Sequence, residues 1–276
     1  MLEFPSRPLR GADRPPAFVA KYYLYRATAA ASFTMPIWYL YLTVTTGSYG
    51  LAAAANAIWW AGLVLFEIPT GYVGDRLGRR RALILGTAIS VAAMASMAFV
   101  DSFAQIAVVF AAWSLGSTFR SGTADAWLYE TLDDRLDGAE FARVRGRGGT
   151  VAAVTTGVTA LAGGYLASGS MGTAYLASAG LVALGIPVLW SLPDAPVDDE
   201  AFTVLDALPV LRSQFSTPPL RAFVLLFALY SGVHWGVNFF IQPLGVDLGL
   251  SQAQLGWLFA GFTVVSGTVS YFAGTI

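Results

Sequence analysis

Five ionisable side chains stand inside long apolar stretches: Arg26, Glu67, Arg120, Asp125 and His234. A charge in such surroundings has to be paired, neutralised by a proton or turned into a polar cavity, so each is a candidate for substrate, ion or proton chemistry. Glu67 and Arg120 have opposite signs at related depth, which suits either a structural ion pair or a substrate or proton site. His234 is the single histidine among 276 residues. Imidazole exchanges protons near neutral pH, and it also serves as a plain hydrogen-bonding contact between helices. Arg26 is near enough to a span end to snorkel, and Asp125 is near enough to meet the arginines of a connecting loop. Trp38 stands on the first such stretch, and Trp235 and Asn238 stand on the seventh.

Other chemistries find no support in the residue inventory. Cysteine is absent and there is one histidine, so neither a thiolate metal site nor a histidine cluster is expected. No Gly-x-Ser-x-Gly elbow occurs, and no Walker-type phosphate loop. The expectation is therefore no enzyme, no cofactor, no metal and no nucleic-acid partner, with an intramembrane enzyme as the remote alternative.

The elements that must position these residues follow from composition. The chain is 56% hydrophobic and 12% charged, with mean hydropathy +0.60, against roughly 45–50% apolar and about 25% charged in soluble domains. Apolar runs recur at 21–45, 51–74, 81–100, 103–129, 149–168, 172–192, 221–246 and 252–274. Each is long enough to cross about 30 Å of hydrocarbon as a helix. An all-α membrane protein of eight spans is expected, with the lipid bilayer as its first partner. Met1 to Pro16 hold no apolar stretch, so no cleavable signal peptide is read there.

Positive charge alternates along the connections. The tail has Arg7, Arg10, Arg14 and Lys21; the second connection has Arg76, Arg79, Arg80 and Arg81. The fourth has Arg135, Arg143, Arg145 and Arg147, and the sixth has Arg212 and Arg221, while the odd connections have no Lys or Arg. The positive-inside rule then places both termini in the cytoplasm, in the plasma membrane. Aromatic residues near span ends read as belt residues, and Pro36 and Pro69 as kinks whose freed carbonyls need partners.

One motif is chemically dense. Gly71, Gly74, Asp75, Arg76, Gly78, Arg79 and Arg80 fall where the second span ends and the third begins. Gly71 and Gly74 let another helix approach, Gly78 permits a tight turn, and Asp75 suits a helix N-terminus or an arginine partner. The pattern resembles the signature of the major facilitator superfamily. Similar stretches are Glu67-Ile-Pro-Thr-Gly71, Ser121 to Glu130 and Val144 to Gly149, so the resemblance covers essentially the whole chain.

That resemblance implies secondary transport of a small solute, drug or metabolite, by alternating access, with H+ as a possible coupling ion. It also implies that the Gly71–Arg80 motif is a conformational latch rather than a substrate site. The first and seventh spans line the solute cavity in that family, so the resemblance implies Trp38, Trp235 and Asn238 as groups a solute would touch. One position departs: the fourth-span arginine of proton-coupled relatives is replaced by Thr118, and Arg120 follows two residues later, about 200° around a helix.

The resemblance also organises the chain. It implies a tail (1–20), a six-helix N-terminal bundle (21–192), an acidic linker (193–220) and the first two helices of a second bundle (221–276). A shift of 199 residues lays Gly50-Leu51 on Gly249-Leu250 and Tyr72 on Tyr271, as parallel halves would. Relatives usually have twelve spans. The alternative expectation is accordingly a truncated, transport-inactive member, or one that self-associates or takes its missing helices from a partner chain.

Overall fold

Residues 16–195 and 217–273 are described by the computed structural model, the last seven as backbone. Arg7, Arg10, Arg14 and Arg212, named above for orientation, lie outside the described residues, as do Asp198, Asp199, Glu200 and Asp206, which make the linker acidic.

The secondary structure of the described residues is helical, joined by short turns and breaks, and the helices meet the expected spans with three informative differences. The second and third spans are α3 (Tyr49–Leu77) and α4 (Arg79–Met97). They are separated by Gly78 alone, whose φ of +84° reverses the chain, a conformation that costs glycine little because it lacks Cβ. The seventh and eighth are α10 (Pro218–Asp247) and α11 (Gln252–Ala273). Among the described residues, five helical stretches are by themselves long and apolar enough to cross a membrane.

The first difference is that the first span is two helices, α1 (Ala17–Ala29) and α2 (Trp38–Thr46), with residues 30–37 between them. Pro36 keeps the later part of the break out of a helix, since its nitrogen has no proton for the Ser32 carbonyl and its ring would clash there. Pro69, in contrast, sits inside an unbroken α3. Beside it the Thr70 hydroxyl donates to the Phe66 carbonyl at 2.7 Å.

Secondly, the fourth span divides into α5 (Phe103–Arg120) and α6 (Thr123–Arg135) at Gly122, where φ is +67°. Thirdly, the fifth span begins early. Helix α7 runs Phe141–Ala167, so Arg143, Arg145 and Arg147 are helical rather than loop residues. The sixth span is α8 (Met171–Ala183) followed by α9 (Gly185–Trp190).

Small residues set how closely the helices pack, as expected where lipid removes the hydrophobic drive between spans. Helix α5 lies against both α3 and α4. A Cβ on Gly116 would come within 2.7 Å of Ser90 Oγ and 2.9 Å of the Gly86 carbonyl. Helix α11 crosses α7 at Gly164 and Gly256 with the same intimacy. Helix α10 touches α2 but leaves most of its apolar surface exposed, including Phe223, Leu226 and Leu229.

Gly116→Val should overpack the α4–α5 crossing and cost about 1–3 kcal/mol. It should lower the thermal midpoint of the purified protein in detergent. Gly180→Ala, where the added methyl meets no atom within 4 Å, should leave the midpoint unchanged or slightly higher. Equal melting of the two variants would refute the close crossing.

Candidate functional site

The site grows out of the broken first span. Residues 30–37 expose backbone groups at a depth where no solvent satisfies them, so neighbouring helices must. From α5, Arg120 Nη2 donates to the Ala29 carbonyl at 3.4 Å. From α7, the Thr156 hydroxyl donates to the Ala30 carbonyl at 3.3 Å, and Thr159 Oγ1 accepts the Ser32 N–H at 2.9 Å. From α10 comes Gln242, fully buried. Its Oε1 accepts the N–H groups of Tyr39 and Leu40 at 2.8 and 3.2 Å. Its Nε2 donates to the Met35 carbonyl at 2.8 Å. One amide thus caps the start of α2 and serves the Met35 carbonyl, whose helical donor would have been the Tyr39 N–H that Gln242 itself accepts.

This arrangement holds the break beside a cavity of about 290 Å³. Thr34 and Trp38 reach it from the first span, Asn56, Trp59 and Trp60 from α3, and Phe110 and Trp113 from α5. Tyr175 of α8 and Trp235 and Phe239 of α10 complete the wall. The rings support one another edge to face: Trp59 and Trp113 at 5.3 Å and 72°, Trp38 and Phe239 at 5.3 Å and 85°, Trp60 and Trp235 at 6.0 Å and 62°. Such pairs are favoured by the ring quadrupole. Trp59 stands 10 residues from the start of α3 and Trp113 10 from the start of α5. At about 1.5 Å per residue, both lie roughly 15 Å deep.

The residues singled out from sequence scatter around this cavity. Trp38 and Trp235 line it; Asn238 does not, and instead bonds to the His234 carbonyl at 2.9 Å. His234 is exposed on α10 and stacks on Tyr230 at 6.1 Å. Glu67 is exposed on α3, and among the described residues no ion pair joins it to Arg120. The expected pairing gives way because Arg120 is drawn to the end of α1. Asp125 bonds to Arg145 Nε at 2.9 Å, joining α6 to α7, and it sits in the first turn of α6, where a carboxylate suits the helix dipole. Arg26 is half-buried beside Gly148.

At the end of the molecule that holds the arginine motif, the charges are stitched together. Arg79 Nη1 meets Asp75 Oδ1 at 2.5 Å and its Nε meets Glu130 Oε1 at 3.1 Å, so one guanidinium ties α3 and α4 to α6. Arg80 pairs with Asp194 at 2.8 Å and donates to the Leu192 carbonyl at 2.9 Å. Lys21 Nζ donates to the Ser191 carbonyl at 2.8 Å, and Trp127 Nε1 to that of Pro193 at 3.0 Å. Cations at the last carbonyls of α9 suit its dipole. Arg76 lies 4.3 Å over the Tyr72 ring. Of the two motif glycines, Gly74 is buried against α4, where an added Cβ would stand 3.6 Å from that of Ala82, whereas among the described residues no helix approaches Gly71.

Sequence reasoning missed Gln242, Asn56 and Glu130, and it gave Trp59, Trp60 and Trp113 no cavity role. The available signal was depth: tryptophans 10 or more residues inside a span are too far in for an interfacial belt.

Comparison with known proteins adds the context. Residues 24–276 match the family model described as Major Facilitator Superfamily. The uncharacterized MFS-type transporter YxaM of Bacillus subtilis (strain 168) is 23% identical over 253 residues, which are 83% of this chain and 59% of that relative. The chain thus spans less than two thirds of that relative's length. A crystal structure of a D-xylose–proton symporter superposes with TM-score 0.64 at 13% identity, over 94% of this chain and 67% of that one, a likeness of fold.

Gln242→Leu keeps the volume but strands two N–H groups and one carbonyl. The expected cost is about 2–4 kcal/mol, at 1–3 kcal/mol per buried unsatisfied group with partial relaxation. Hydrogen exchange at Tyr39 and Leu40 should accelerate by at least about tenfold. Unchanged protection at both amides would contradict the bridging role.

Proposed function

The chain belongs to the major facilitator superfamily, and we propose that it moves a small solute across the membrane by alternating access, as a secondary transporter. The observation that carries this reading is the aromatic cavity at mid-depth, walled by the broken first span and by α3, α5, α8 and α10. A solute site there lies between spans of what we read as two bundles, 21–192 and 221 onward, joined by a linker. Rocking of one bundle against the other would expose the site to each side in turn.

Two contrasting ends support the assignment of parts. The arginine end, which we take to be cytoplasmic in the plasma membrane on the positive-inside rule, is held by Arg79 between Asp75 and Glu130. The opposite end is held by Gln242 and by the stacked rings of Tyr39 and Phe239 at 5.4 Å. An alternating-access cycle needs contacts at each end that can open in turn while the other stays closed. We assign the latch role to Asp75, Arg79 and Glu130.

The test is solute flux in proteoliposomes containing the purified chain, with an imposed pH gradient because His234 adjoins the cavity-lining Trp235. Gradient-dependent flux is expected. Asp75→Asn and Glu130→Gln should each lower it about 1.4- to 5-fold, since partly exposed pairs contribute about 0.2–1 kcal/mol each. Arg79→Lys should do the same, because an ammonium cannot fork between two carboxylates. Absence of flux from well-folded protein would refute transport by this chain alone. Flux restored by co-expressing four further spans would assign the work to a larger assembly.

A further inference from the structure

The proposed transport role leaves the cavity's ligand open, and the lining residues narrow it by chemistry. Of the ten, eight are aromatic, five of them tryptophan; the polar groups are Thr34, Asn56, the Tyr175 hydroxyl and the indole N–H donors, and none carries a charge. Four classes of solute meet different costs in such a wall.

A polyol brings several hydroxyl protons to a wall whose side-chain acceptors are Thr34, Asn56 and Tyr175 alone, indole N–H groups being donors only, and each proton left without an acceptor keeps its desolvation cost. An anion faces the electron-rich ring faces with no cationic side chain in the wall; Arg120, the nearest candidate from sequence, is committed to the end of α1. A neutral lipophile exchanges one apolar medium for another, because the surrounding hydrocarbon is as apolar as the rings, so the cavity offers it little selective gain. A cation alone gains from the quadrupoles, most strongly over indole and most when desolvated.

Ring geometry favours the same class. In an edge-to-face pair one ring's positive edge occupies only one face of its partner. The pairs Trp59–Trp113, Trp38–Phe239 and Trp60–Trp235 therefore fix the rings from three helices and the first-span break without consuming every face. Asn56 is buried and supplies an amide dipole at the same wall. A volume of about 290 Å³ suits one small ring or alkyl body with its head group, not an extended chain.

We propose that this cavity is an organic-cation site, taking a singly charged ammonium carried on a compact aromatic or alkyl body. The proposal rests on the reading of the cavity as the solute site, and its test separates the two.

Binding is read by intrinsic fluorescence of the purified chain in detergent, since five of its eight tryptophans line the cavity. The probes are benzyltrimethylammonium; neopentylbenzene, the same shape with carbon in place of nitrogen; phenylacetate; and D-xylose, with free concentrations corrected for micelle partition. The cation should bind at least about fivefold tighter than its neutral isostere. Trp59→Leu and Trp235→Leu should each weaken the cation about fivefold and the isostere less than about twofold. Trp59→Phe, which keeps a ring and spares the fold if the leucine variant melts early, should fall between. Trp190→Phe, outside the cavity, should change neither.

Equal or tighter binding of the isostere, of phenylacetate or of D-xylose would overturn the proposal, as would no response to the cation. Proteoliposome flux of the same probes then distinguishes the two readings. Cation-selective binding without flux would leave the site and remove the transport reading. Flux of phenylacetate or D-xylose but not of the cation would leave transport and remove the organic-cation site.

Discussion

The packing around the cavity depends on one constraint: backbone N–H and C=O groups inside hydrocarbon must find partners within the protein. A continuous helix meets that demand by itself. The first span does not, because α1 stops at Ala29 and residues 30–37 run irregularly before α2 begins at Trp38. Arg120, Thr156, Thr159 and Gln242 answer from three other helices. Gly163 of α7 adds room, since a side chain there would collide with the Phe33 carbonyl. The break fixes the relation of α5, α7 and α10 to the first span, and with it the positions of Thr34 and Trp38 on the cavity wall.

The two ends of the molecule use opposite chemistry for cohesion. At the arginine end, Arg79, Arg80, Arg145 and Lys21 bind carboxylates and terminal carbonyls where solvent is at hand. Exposed ion pairs of this kind are individually weak and sensitive to salt. At the other end, buried amide bonds and ring contacts among Tyr39, Phe239, Phe240 and Tyr49 do the holding. Those contacts are little screened, and charge substitutions far away leave them intact. Ionic conditions therefore weigh on one end of the molecule more than on the other.

Much of the fold was legible because hydrocarbon imposes length and polarity on every span, and the spans from α3 to α11 fall close to their apolar runs. The helix breaks were less legible. Pro36 signalled one, but whether a proline kinks or ends a helix depends on partners hundreds of residues away, as the unbroken α3 at Pro69 shows. Gly122 broke the fourth span with no proline at all. The early start of α7 was hidden by Arg143, Arg145 and Arg147, whose charges read as loop although arginine is a good helix former. Within the site, sequence reasoning rightly noticed Trp38 and Trp235, and it overvalued charge. Glu67 and Arg120 drew attention by cost, whereas the cavity is built of neutral rings and a buried amide whose facing no single sequence reveals.

The bond between Tyr39 and Gln242 spans 203 residues of chain. At synthesis rates of roughly 5–20 residues per second, the first span leaves the ribosome about 10–40 s before its partner exists. Through that interval the peptide groups around Pro36 lack the amide that will finally satisfy them, and Thr156 and Thr159 arrive only partway through. The nascent first span must therefore wait in a wet or sheltered setting, such as the insertion machinery itself, or as a shallow, hydrated segment. Completion of its geometry becomes a late event in biogenesis, timed by the seventh span rather than by its own insertion.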